Sequence, residues 1–474
     1  MQNSNVMKPL VKDEEIQKFI ASFRGEVVLP DDIKYDQSRR VWNGMIDRYP
    51  ALIARCTQVE DVIASVNFAR ENELLVAVRG GDHNVAGHAT CDGGIVIDLS
   101  PMKRIEIDPV SRVARAEAGV TWGELDAATQ VYGLATPGGV FSETGIAGLT
   151  LGGGFGWLRN KYGLSCDNLI AAEVVTAKGQ PIRTNQSENP DLLWGLRGGG
   201  GNFGVVTTFV FRLHLVGPQV MFVFVFHDGR GEKTKEAIQF YRDFCATAPD
   251  EVSSIGFAGI IPPGVAHFPE KIQGTPFFGI GALYAGATDV GRELLQPLRD
   301  FSQPLIDFSG IMPYIQAQRA FDEDYPDGLR YYWKSLNLTR LDDRVIDRIV
   351  QHARVQPSPL STTDIWHIGG AVKRSSPEES AFFGREASFL LNAEANWEKP
   401  RDDEANIGWA RDFVADMSEF SDGSRYLNFA GFQEEGDEII QKAFGDRYQR
   451  LVALKNKYDP TNLFRLNQNI KPSV

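Results

Sequence analysis

The chain has 474 residues and a formal net charge of −13, and 43% of its residues are hydrophobic. This length exceeds the size at which one hydrophobic core keeps growing, so we expect two or more domains, and the acidic balance argues against a nucleic-acid or anionic-membrane surface. The first residues lack an apolar signal core and no apolar run approaches a membrane span, which predicts a cytoplasmic protein whose partner is a small molecule.

The first part of the chain alternates predicted strands and helices behind a leader, residues 1–45, that we expect to be helical. ALIARC is a short strand candidate, and the pattern from Thr57 to Glu60 predicts a capping box before a helix. LLVAVRGG, GIVIDLS, RIEID and RVARAEAG predict four further strands. Thr121 and Glu124 repeat the capping box before WGELDAATQ. This region is predicted to be α+β.

Three glycine clusters follow between Thr136 and Gly204: TPGGVFSETGIAGLTLGGGFG, KYGLSCDN and LRGGGGNFGVV. Glycine at this density is tolerated where the backbone turns sharply or touches a ligand. Leucine, isoleucine, phenylalanine and tryptophan are interleaved with these glycines, which indicates packed structure rather than a flexible linker.

From about Val216 the pattern changes to long strand-like runs, VMFVFVF, IGFAGII and FFGIGALY, separated by amphipathic helices. This predicts a second α+β domain over residues 216–450, with an antiparallel sheet and helices on one face. The remaining segment, 451–474, contains a helix and a polar ending that we expect to return to the first domain.

The stretch GGDHNVAGHATCDGG concentrates side chains of metal and thiol sites. His83 and His88 are five residues apart, which fits neither a helical metal motif nor one face of a strand, so no metal site is predicted. Cys91 precedes Asp92 and lacks a positive neighbour, which favours a buried structural thiol over a nucleophile.

Two of the glycine runs, from Gly152 to Gly156 and from Gly198 to Gly204, resemble loops that hold phosphate with backbone N–H groups. A Rossmann site should place such glycines between the first strand and first helix, but ALIARCTQVED has none. A Rossmann NAD site is therefore disfavoured, and tight strand packing is the alternative for the second run.

Taken in order, these features resemble a known family. A glycine-flanked histidine after LLVAVRGG is followed by TPGG, the Gly145 to Gly156 pattern, YGLSCDN, RGGGGNFGVVT and a C-terminal YDPTNLFRLNQNI. This order is similar to that of the FAD-linked oxidases of the vanillyl-alcohol-oxidase superfamily, with a PCMH-type FAD domain, in the berberine-bridge-enzyme-like group. The resemblance implies a flavoprotein with an FAD domain of two α+β subdomains over 46–215 and a substrate domain after it.

The resemblance gives His83 a role, since its family counterpart is bonded to the 8α-methyl of the flavin, where it tethers the cofactor and makes it a stronger oxidant. Asp82 stands where relatives usually have glycine, and it could raise the imidazole pKa or crowd the flavin. Phe141 occupies the position of a second, cysteinyl link in some relatives, so a single link is expected. Thr144 lies where relatives control oxygen access and resembles valine in shape, which favours oxidase behaviour.

The resemblance also implies which residues bind FAD. The pyrophosphate would meet backbone N–H groups after LLVAVRGG and in the second glycine cluster, and the adenine end would meet the start of the GVVT strand. The cofactor-binding residues implied in this way are Arg79, Gly80, Gly81, Asp82, His83, Asn84, Pro137, Gly138, Gly139, Thr144, Gly145, Gly148, Gly152, Gly153, Gly154, Gly156, Asn168, Gly204, Val206, Asn428 and Asn467.

Relatives commonly use the second tyrosine of a Y-x-N-Y segment as the base, but here the segment reads Tyr426-Leu-Asn428-Phe429. Phenylalanine cannot accept a proton, and on a strand Tyr426 would face away from Phe429. Tyr426 is nevertheless one candidate.

Other candidates for the base are Tyr331, Tyr332 and Lys334 in LRYYWKSLN, and His367 in IWHIGGA. Tyr332 and Lys334 lie two apart on one strand face, where lysine would lower the phenol pKa. A packed sheet interior is the competing interpretation for each of them.

These inferences predict an FAD-dependent oxidase that takes hydride from an alcohol or activated C–H of a sugar, aromatic or other secondary metabolite and passes electrons to O2, giving H2O2. Trp333, Trp366 and Phe432 are expected to line its pocket. A dehydrogenase with a quinone or carrier-protein acceptor, and a flavin-loaded binding protein without turnover, are alternatives. The oligomeric state is open.

Overall fold

The computed structural model of the chain describes residues 11–432 and 436–473. The first domain is built on a four-stranded and a five-stranded sheet, and the second on one eight-stranded sheet. Each domain buries its own main hydrophobic core. Among the described residues, none of the helices has the length and apolar composition needed to cross a membrane. The architecture is the expected α+β arrangement with antiparallel sheets.

Short strands alternate with helices in the first domain. In chain order the elements are α1 (Asp13–Ser22), β1 (Glu26–Val28), α2 (Tyr35–Ser38), β2 (Leu52–Arg55), α3 (Val59–Glu71), β3 (Val76–Arg79), β4 (Ile95–Asp98), β5 (Ile105–Asp108), β6 (Val113–Glu117), α4 (Trp122–Gln130), β7 (Leu134–Ala135), α5 (Ile146–Leu151), α6 (Arg159–Tyr162), β8 (Leu169–Val175), β9 (Pro181–Thr184), α7 (Pro190–Leu196), β10 (Val205–Arg212) and β11 (His214–Leu215).

The two main sheets of this domain differ in the relative direction of their strands. The first has the order β1-β2-β4-β3, in which β2, β4 and β3 are parallel and α3 provides the crossover between β2 and β3. The second has the order β5-β6-β10-β8-β9 and is antiparallel throughout. The residues after Arg79 therefore leave the carboxyl end of a parallel strand, where ligands commonly bind in α/β sheets.

Two local expectations for the first domain are wrong. The leader is not wholly helical in its described part, because β1 pairs antiparallel with β2 and extends the first sheet. The capping box at Thr57 does not form, since the Thr57 N–H and hydroxyl donate to the Asp61 carboxylate at 3.0 and 2.9 Å instead. The box at Thr121 does form, with the Glu124 N–H donating to the Thr121 hydroxyl at 3.4 Å. Residues 1–10 of the leader lie outside the described residues.

The second domain and the end of the chain contain longer elements. They are β12 (Gln219–Asp228), α8 (Lys233–Thr247), β13 (Val252–Ile260), β14 (Pro276–Tyr284), α9 (Thr288–Asp300), β15 (Ile306–Asp307), β16 (Gly310–Pro313), α10 (Tyr314–Gln318), β17 (Arg330–Leu338), α11 (Asp343–Ala353), β18 (Thr362–His367), α12 (Gly370–Arg374), β19 (Phe389–Trp397), α13 (Asp403–Met417), α14 (Asp437–Phe444) and α15 (Tyr448–Tyr458).

The large sheet presents two different faces. Its order is β15-β12-β14-β13-β18-β19-β17, with β16 beside β12, and all its pairings are antiparallel. Helices α8, α9, α11 and α13 cover one face, where their apolar side chains and those of the strands form one core. Because side chains alternate along a strand, the other face carries a separate set, which includes Phe222, Phe257 and Trp366.

The second domain ends earlier than residue 450. Ile440 and Phe444 of α14 belong to the core of the first domain, as do Leu451 of α15 and Phe464. The whole stretch from α14 onward packs on the first domain, because its apolar face meets that core rather than the large sheet.

Candidate functional site

A cavity lies between the glycine clusters of the first domain and the aromatic face of the large sheet. Its wall combines residues 80–84 after β3, residues around α5, the run 198–201 after α7, and the segment 426–429. The C-terminal segment closes it with Phe464, Leu466, Asn467 and Gln468. We call it the glycine-lined cavity.

Glycine is required where two of these segments touch. A Cβ on Gly81 would lie 2.4 Å from the Gly145 nitrogen, and one on Gly145 would lie 2.5 Å from the Gly81 nitrogen. By contrast, a Cβ on Gly148 or Gly201 would meet no described atom within 4 Å, although both line the cavity. Exposed backbone of this kind can approach a large ligand closely, so these residues fit an FAD molecule.

His83 lies in the wall of this cavity. Its ring stacks on the Trp42 indole, with centroids 4.9 Å apart, and Nδ1 lies 3.5 Å from the Thr144 hydroxyl oxygen. Burial lowers the pKa of the imidazole to about 4. The ring is therefore neutral at physiological pH and has a nitrogen lone pair available, as a covalent link to a flavin requires.

Asp82 adopts a backbone conformation that favours glycine. Its φ is +48°, in the left-handed region, which aspartate tolerates better than most residues. The Trp42 N–H donates to its carboxylate at 3.3 Å, and burial raises its pKa to about 6. The carboxylate does not raise the imidazole pKa of His83, because burial alone accounts for that shift and lowers it.

Most residues implied as FAD-binding line the glycine-lined cavity. They come from distant parts of the chain, which the contact between Gly81 and Gly145 brings together. Those in the wall are Gly80, Gly81, Asp82, His83, Asn84, Gly139, Thr144, Gly145, Gly148, Gly152, Gly204, Val206, Asn428 and Asn467.

The other implied residues stand behind the wall. The Arg79 guanidinium donates to the Ala89 carbonyl at 3.3 Å, and the Asn168 amide donates to the Tyr162 carbonyl at 2.9 Å. These side-chain contacts shape the loops, and the binding roles expected for the Arg79 backbone and for Asn168 stay predictions. The residues outside the wall are Arg79, Pro137, Gly138, Gly153, Gly154, Gly156 and Asn168.

Three candidate bases face away from the cavity. Tyr332 points to the helix-covered face of β17, where its hydroxyl accepts a hydrogen bond from Arg411 Nε at 2.9 Å. Lys334 shares that face, because it is two residues further along the same strand. His367 Nδ1 lies 3.2 Å from the Asn160 amide, on the side of β18 opposite to Trp366. Strand alternation therefore contradicts the prediction for all three.

Tyr426 lines the cavity, but its hydroxyl is engaged in hydrogen bonds that stabilise the cavity wall. Its hydroxyl accepts hydrogen bonds from the Gly154 N–H at 3.1 Å, the Phe155 N–H at 3.4 Å and the Asn428 amide at 2.8 Å. Burial raises its pKa to about 12. The ring contacts that of Phe429 at 4.8 Å, so the two lie on the same side. The expectation of opposite strand faces is wrong, because residues 427–429 form a 3-10 turn.

Sequence reasoning named Tyr331 and Trp333 but missed that they pack with Trp42 in an aromatic cluster beside His83. Trp42 stacks on Tyr331 with centroids 3.7 Å apart and meets the edge of Trp333 at 5.6 Å. Trp42 comes from the leader, where no sequence pattern indicated a site residue. His88, which the sequence analysis considered only as a metal ligand and did not retain, also lies in the cavity wall, and burial lowers its pKa to about 4.

A second cavity of about 680 Å³ lies on the aromatic face of the large sheet. It shares four wall residues with the glycine-lined cavity: Val140, Phe141, Trp366 and Phe429. We call it the aromatic cavity. Of the expected lining residues, Trp366 borders both cavities and Trp333 borders the first, whereas Phe432 packs edge-on against Tyr332 on the other face of the sheet.

Buried carboxyl groups lie on the wall of the aromatic cavity. Tyr325 donates its hydroxyl to Glu394 Oε2 at 2.5 Å, and the Asn392 amide donates to Oε1 at 2.7 Å. Asp364 hydrogen-bonds to the same carboxyl group. Burial raises the pKa of both acids, and that of Asp364 is raised further by the charge of Glu394. Asp364 is therefore the member of the pair that takes up a proton more readily, and Glu394 is the hydrogen-bond-accepting member.

The thiol and metal interpretations can also be set against the structure. Cys91 is buried, its sulfur lies 3.8 Å from the Ile95 carbonyl, and burial raises its pKa to about 11, so it is a structural thiol. Within residues 11–432 and 436–473, no three histidine, cysteine or acidic side chains are grouped as metal ligands would be.

Known proteins resemble this chain in both sequence and fold. Residues 50–185 match a family model described as an FAD binding domain, and residues 425–471 match one described as berberine and berberine like. The chain is 30% identical to an FAD-linked oxidoreductase of Dictyostelium discoideum over 462 residues, covering 96% of this chain and 97% of that protein. It is also 30% identical to (R)-6-hydroxynicotine oxidase of Paenarthrobacter nicotinovorans, with 95% and 97% covered. The crystal structure of 6-hydroxy-D-nicotine oxidase from Arthrobacter nicotinovorans has a TM-score of 0.86 and 29% identity, with 95% and 99% covered.

Proposed function

The chain belongs to the berberine-bridge-enzyme-like group of FAD-linked oxidoreductases, and from this premise we propose that it is an oxidase with FAD bonded covalently to His83. The observation that carries the proposal is a neutral, half-buried imidazole in a cavity lined by exposed glycine backbone, beside a second cavity large enough for a substrate. The oxidases among the similar proteins support the same reaction class.

Individual residues of the glycine-lined cavity have distinct tasks in this proposal. Bound FAD supplies the acceptor for a hydride from the substrate. The imidazole nitrogen of His83 provides the covalent attachment, while the Trp42 indole fixes the plane of the imidazole ring by stacking on it. The backbones of Gly148 and Gly201 leave room for the cofactor, and the Tyr426 hydroxyl holds the glycine loop by its hydrogen bonds to Gly154 and Phe155.

The proton that leaves the substrate needs an acceptor other than residue 429. Tyr325 and Glu394 line the aromatic cavity and are joined by a hydrogen bond of 2.5 Å. We assign them the role as a pair: the substrate proton moves to the Tyr325 oxygen while the Tyr325 proton moves to Glu394 Oε2. Because burial raises the pKa of the Tyr325 phenol well above its usual value, the phenol is a relay and Glu394 is the final acceptor.

Covalent attachment is tested by acid precipitation of the purified protein, followed by flavin absorbance of the pellet and the supernatant. We expect the yellow colour in the pellet for the wild type and its loss from the pellet for His83→Ala. His88→Gln is a matched control, since it changes a buried histidine in the same loop without removing the proposed link. If the flavin of the wild type were found in the supernatant and not in the pellet, covalent attachment would be refuted.

The electron acceptor is tested on the attached flavin. A panel of alcohols and amines is mixed anaerobically with the holoenzyme until one bleaches the flavin, and air is then admitted. Rapid recovery of the oxidised spectrum with formation of H2O2 is the expected result. Slow recovery in air, with rapid recovery on adding a quinone, would identify a dehydrogenase instead. A flavin that no compound of the panel bleaches would point to a binding protein without turnover.

A further inference from the structure

A third cavity, of about 360 Å³, lies at the carboxyl end of β18. Its wall combines the end of α8, residues 367–370 between β18 and α12, and residues 388–389 at the start of β19. Among the described residues, this wall has no member in common with the glycine-lined cavity or the aromatic cavity. We call it the polar cavity, and it is separate from the site of the proposed reaction.

His367 presents a hydrogen-bond donor to the polar cavity. The Asn160 amide is oriented by two backbone contacts, since its Oδ1 accepts from the Gly369 N–H at 3.0 Å and its Nδ2 donates to the Val252 carbonyl at 2.9 Å. The other Nδ2 proton is donated to His367 Nδ1, which lies 3.2 Å away. Because Nδ1 is the accepting nitrogen, the proton of the neutral imidazole is on Nε2.

This Nε2 donor lacks a partner in the protein. His367 is only 9% exposed, and no described residue accepts a hydrogen bond from Nε2. The atom is not one of the buried polar atoms cut off from solvent, and a Cβ on the wall residue Gly369 would lie 3.3 Å from it, so the donor opens onto the cavity. Polar groups of largely buried side chains are normally paired, and an acceptor on a ligand would pair this one.

Lys373 supplies a positive charge to the same wall. Its ammonium donates to the Ser388 hydroxyl at 2.9 Å, and among the described residues no carboxylate forms an ion pair with it. Arg242 and Asp250, the other charged residues of the wall, are already in ion pairs of 2.9 and 2.7 Å. The polar cavity therefore carries one positive charge that is not neutralised by contact.

The donor and the cation lie near each other. Burial, together with the charges of Arg159 and Lys373, lowers the pKa of His367 to about 3, so the imidazole stays neutral at physiological pH. Burial also lowers the pKa of Lys373, although the charge of Glu386 acts in the opposite direction. A cation that has lost part of its solvent gains more from a ligand anion than a fully solvated one does.

From these contacts we infer that the polar cavity binds a small organic carboxylate, whose oxygens accept hydrogen bonds from His367 Nε2 and the Lys373 ammonium. A monoanion matches the single unpaired positive charge, and hydrogen bonds between charged groups are stronger than neutral ones. Inorganic phosphate, which carries more than one negative charge near neutral pH, is a poorer match. The apolar part of the ligand lies on the carbon surface of Cys245, Ala248, Pro249, Ile368 and Phe389.

The first test compares two probes of similar shape and different charge. Butyrate and butyramide are titrated against the holoenzyme at neutral pH, and binding is followed by saturation-transfer NMR of the probe. We expect butyrate to bind at least about tenfold more tightly than butyramide. Equal binding of the two probes would overturn the inference, and displacement of butyrate by a lower concentration of inorganic phosphate would overturn the carboxylate class.

Variants decide whether the polar cavity is the site. Lys373→Met should weaken butyrate binding by at least about tenfold and change butyramide binding by less than about threefold. An unchanged denaturant midpoint shows that this variant is folded. Lys399→Met is the matched control, because Lys399 is exposed, lies outside the wall and loses the same charge. Unchanged butyrate binding in Lys373→Met, or an equal loss in Lys399→Met, counts against the inference.

The imidazole of His367 gives a direct readout. In protein labelled with 15N-histidine, the Nε2 resonance that is absent from His367→Gln should shift when butyrate is added to the wild type and stay in place in Lys373→Met. Butyrate binding without this shift would place the probe elsewhere. Should His367→Gln not fold, the comparison of the two lysine variants decides alone. Neither readout depends on the flavin, so the outcome is separate from that of the proposed function.

Discussion

The His83 imidazole lies on the Trp42 indole, with ring centroids 4.9 Å apart and planes inclined by only 14°. Trp42 is itself 2% exposed and stacks on Tyr331 from the second domain at 3.7 Å. The proposed tether is thus supported by a ring from the leader and, through it, by a strand of the large sheet. This relationship couples the placement of the imidazole to the packing of both domains.

Loss of this support should lower covalent attachment. We expect Trp42→Ala to cost about 3–5 kcal/mol of unfolding free energy, as is usual for deleting a buried aromatic side chain, and to reduce the fraction of flavin in the acid-precipitated pellet. Trp42→Phe retains a stacking ring and should keep most of that fraction. Denaturant unfolding and pellet absorbance measure the two effects. Full attachment in Trp42→Ala would show that the stack does not position His83.

A second prediction concerns pH and Asp82. Burial raises the pKa of this carboxyl from 3.8 to about 6, so the folded state binds more protons than the unfolded state between these values. The free energy of unfolding should therefore fall as pH rises from about 4 to about 6, by on the order of 3 kcal/mol from this group, and the full penalty is present above pH ~6.

The variant Asp82→Asn isolates this contribution. Asparagine does not ionise and also tolerates a positive φ, so the backbone conformation is kept. The difference in unfolding free energy between Asp82→Asn and the wild type should be more favourable to the variant at pH 7 than at pH 4. Denaturant unfolding of both proteins at the two pH values measures it. Parallel pH profiles for the two proteins would contradict the raised pKa.

The C-terminal segment provides a third prediction. Lys455 and Asp459 are both 0% exposed and 2.7 Å apart, and the lysine also donates to the Asn202 and Phe464 carbonyls. Lys455→Met leaves the Asp459 carboxylate buried without its cation, so we expect a loss of about 3–5 kcal/mol of unfolding free energy and a smaller fraction of protein with flavin attached. The measurements are denaturant unfolding and flavin absorbance of the acid-precipitated pellet.

A neighbouring lysine on α15 gives the control for this experiment. Lys457 pairs with Asp191 at the surface, where 54% of the lysine side chain is exposed. Lys457→Met should cost less than about 1 kcal/mol, because solvent screens exposed ion pairs. A similar cost for the two lysine variants would mean that burial of the Lys455 pair is not what stabilises the segment.

Local signals and backbone requirements were readable from the sequence. The Thr121 capping box depends on residues three apart, and the glycines at 81 and 145 mark a close backbone approach whatever side chains surround them. The face of β17 was not readable, because both of its faces are buried, one by helices and one toward the cavities. The alternation of hydrophobic residues then does not indicate which side chains of β17 face the helices and which face the cavities. Tyr332 therefore could not be distinguished from Tyr331.

Long-range partners were equally hidden. Glu394 lies in FLLNAEANW, a strand buried along its whole length, where its contact with Tyr325 joins residues 69 positions apart. Trp42 reaches His83 only because β1 and the loop after α2 fold onto the first sheet. No local pattern encodes either contact, since each depends on how separate elements pack.

The fourth prediction distinguishes the proton acceptor from the residue at position 429. The Phe429 ring lies among the rings of Trp333, Trp366 and Tyr426, with centroids 5.5, 5.7 and 4.8 Å away, and borders both cavities. With the Tyr325 and Glu394 pair as acceptor, Phe429→Tyr should change kcat/KM by less than about tenfold and leave its pH profile in place.

Glu394→Gln, in contrast, should lower kcat by about 10²- to 10⁴-fold, the usual contribution of a general base, because glutamine cannot take the proton from Tyr325. Steady-state rates across pH for the wild type and the two variants provide the comparison. A large gain of activity in Phe429→Tyr, with a new alkaline limb in the pH profile, would instead show that a phenol at position 429 is the better placed acceptor. If kcat were also unchanged in Glu394→Gln, the Tyr325 and Glu394 pair would not be the proton acceptor, and its role would be confined to binding.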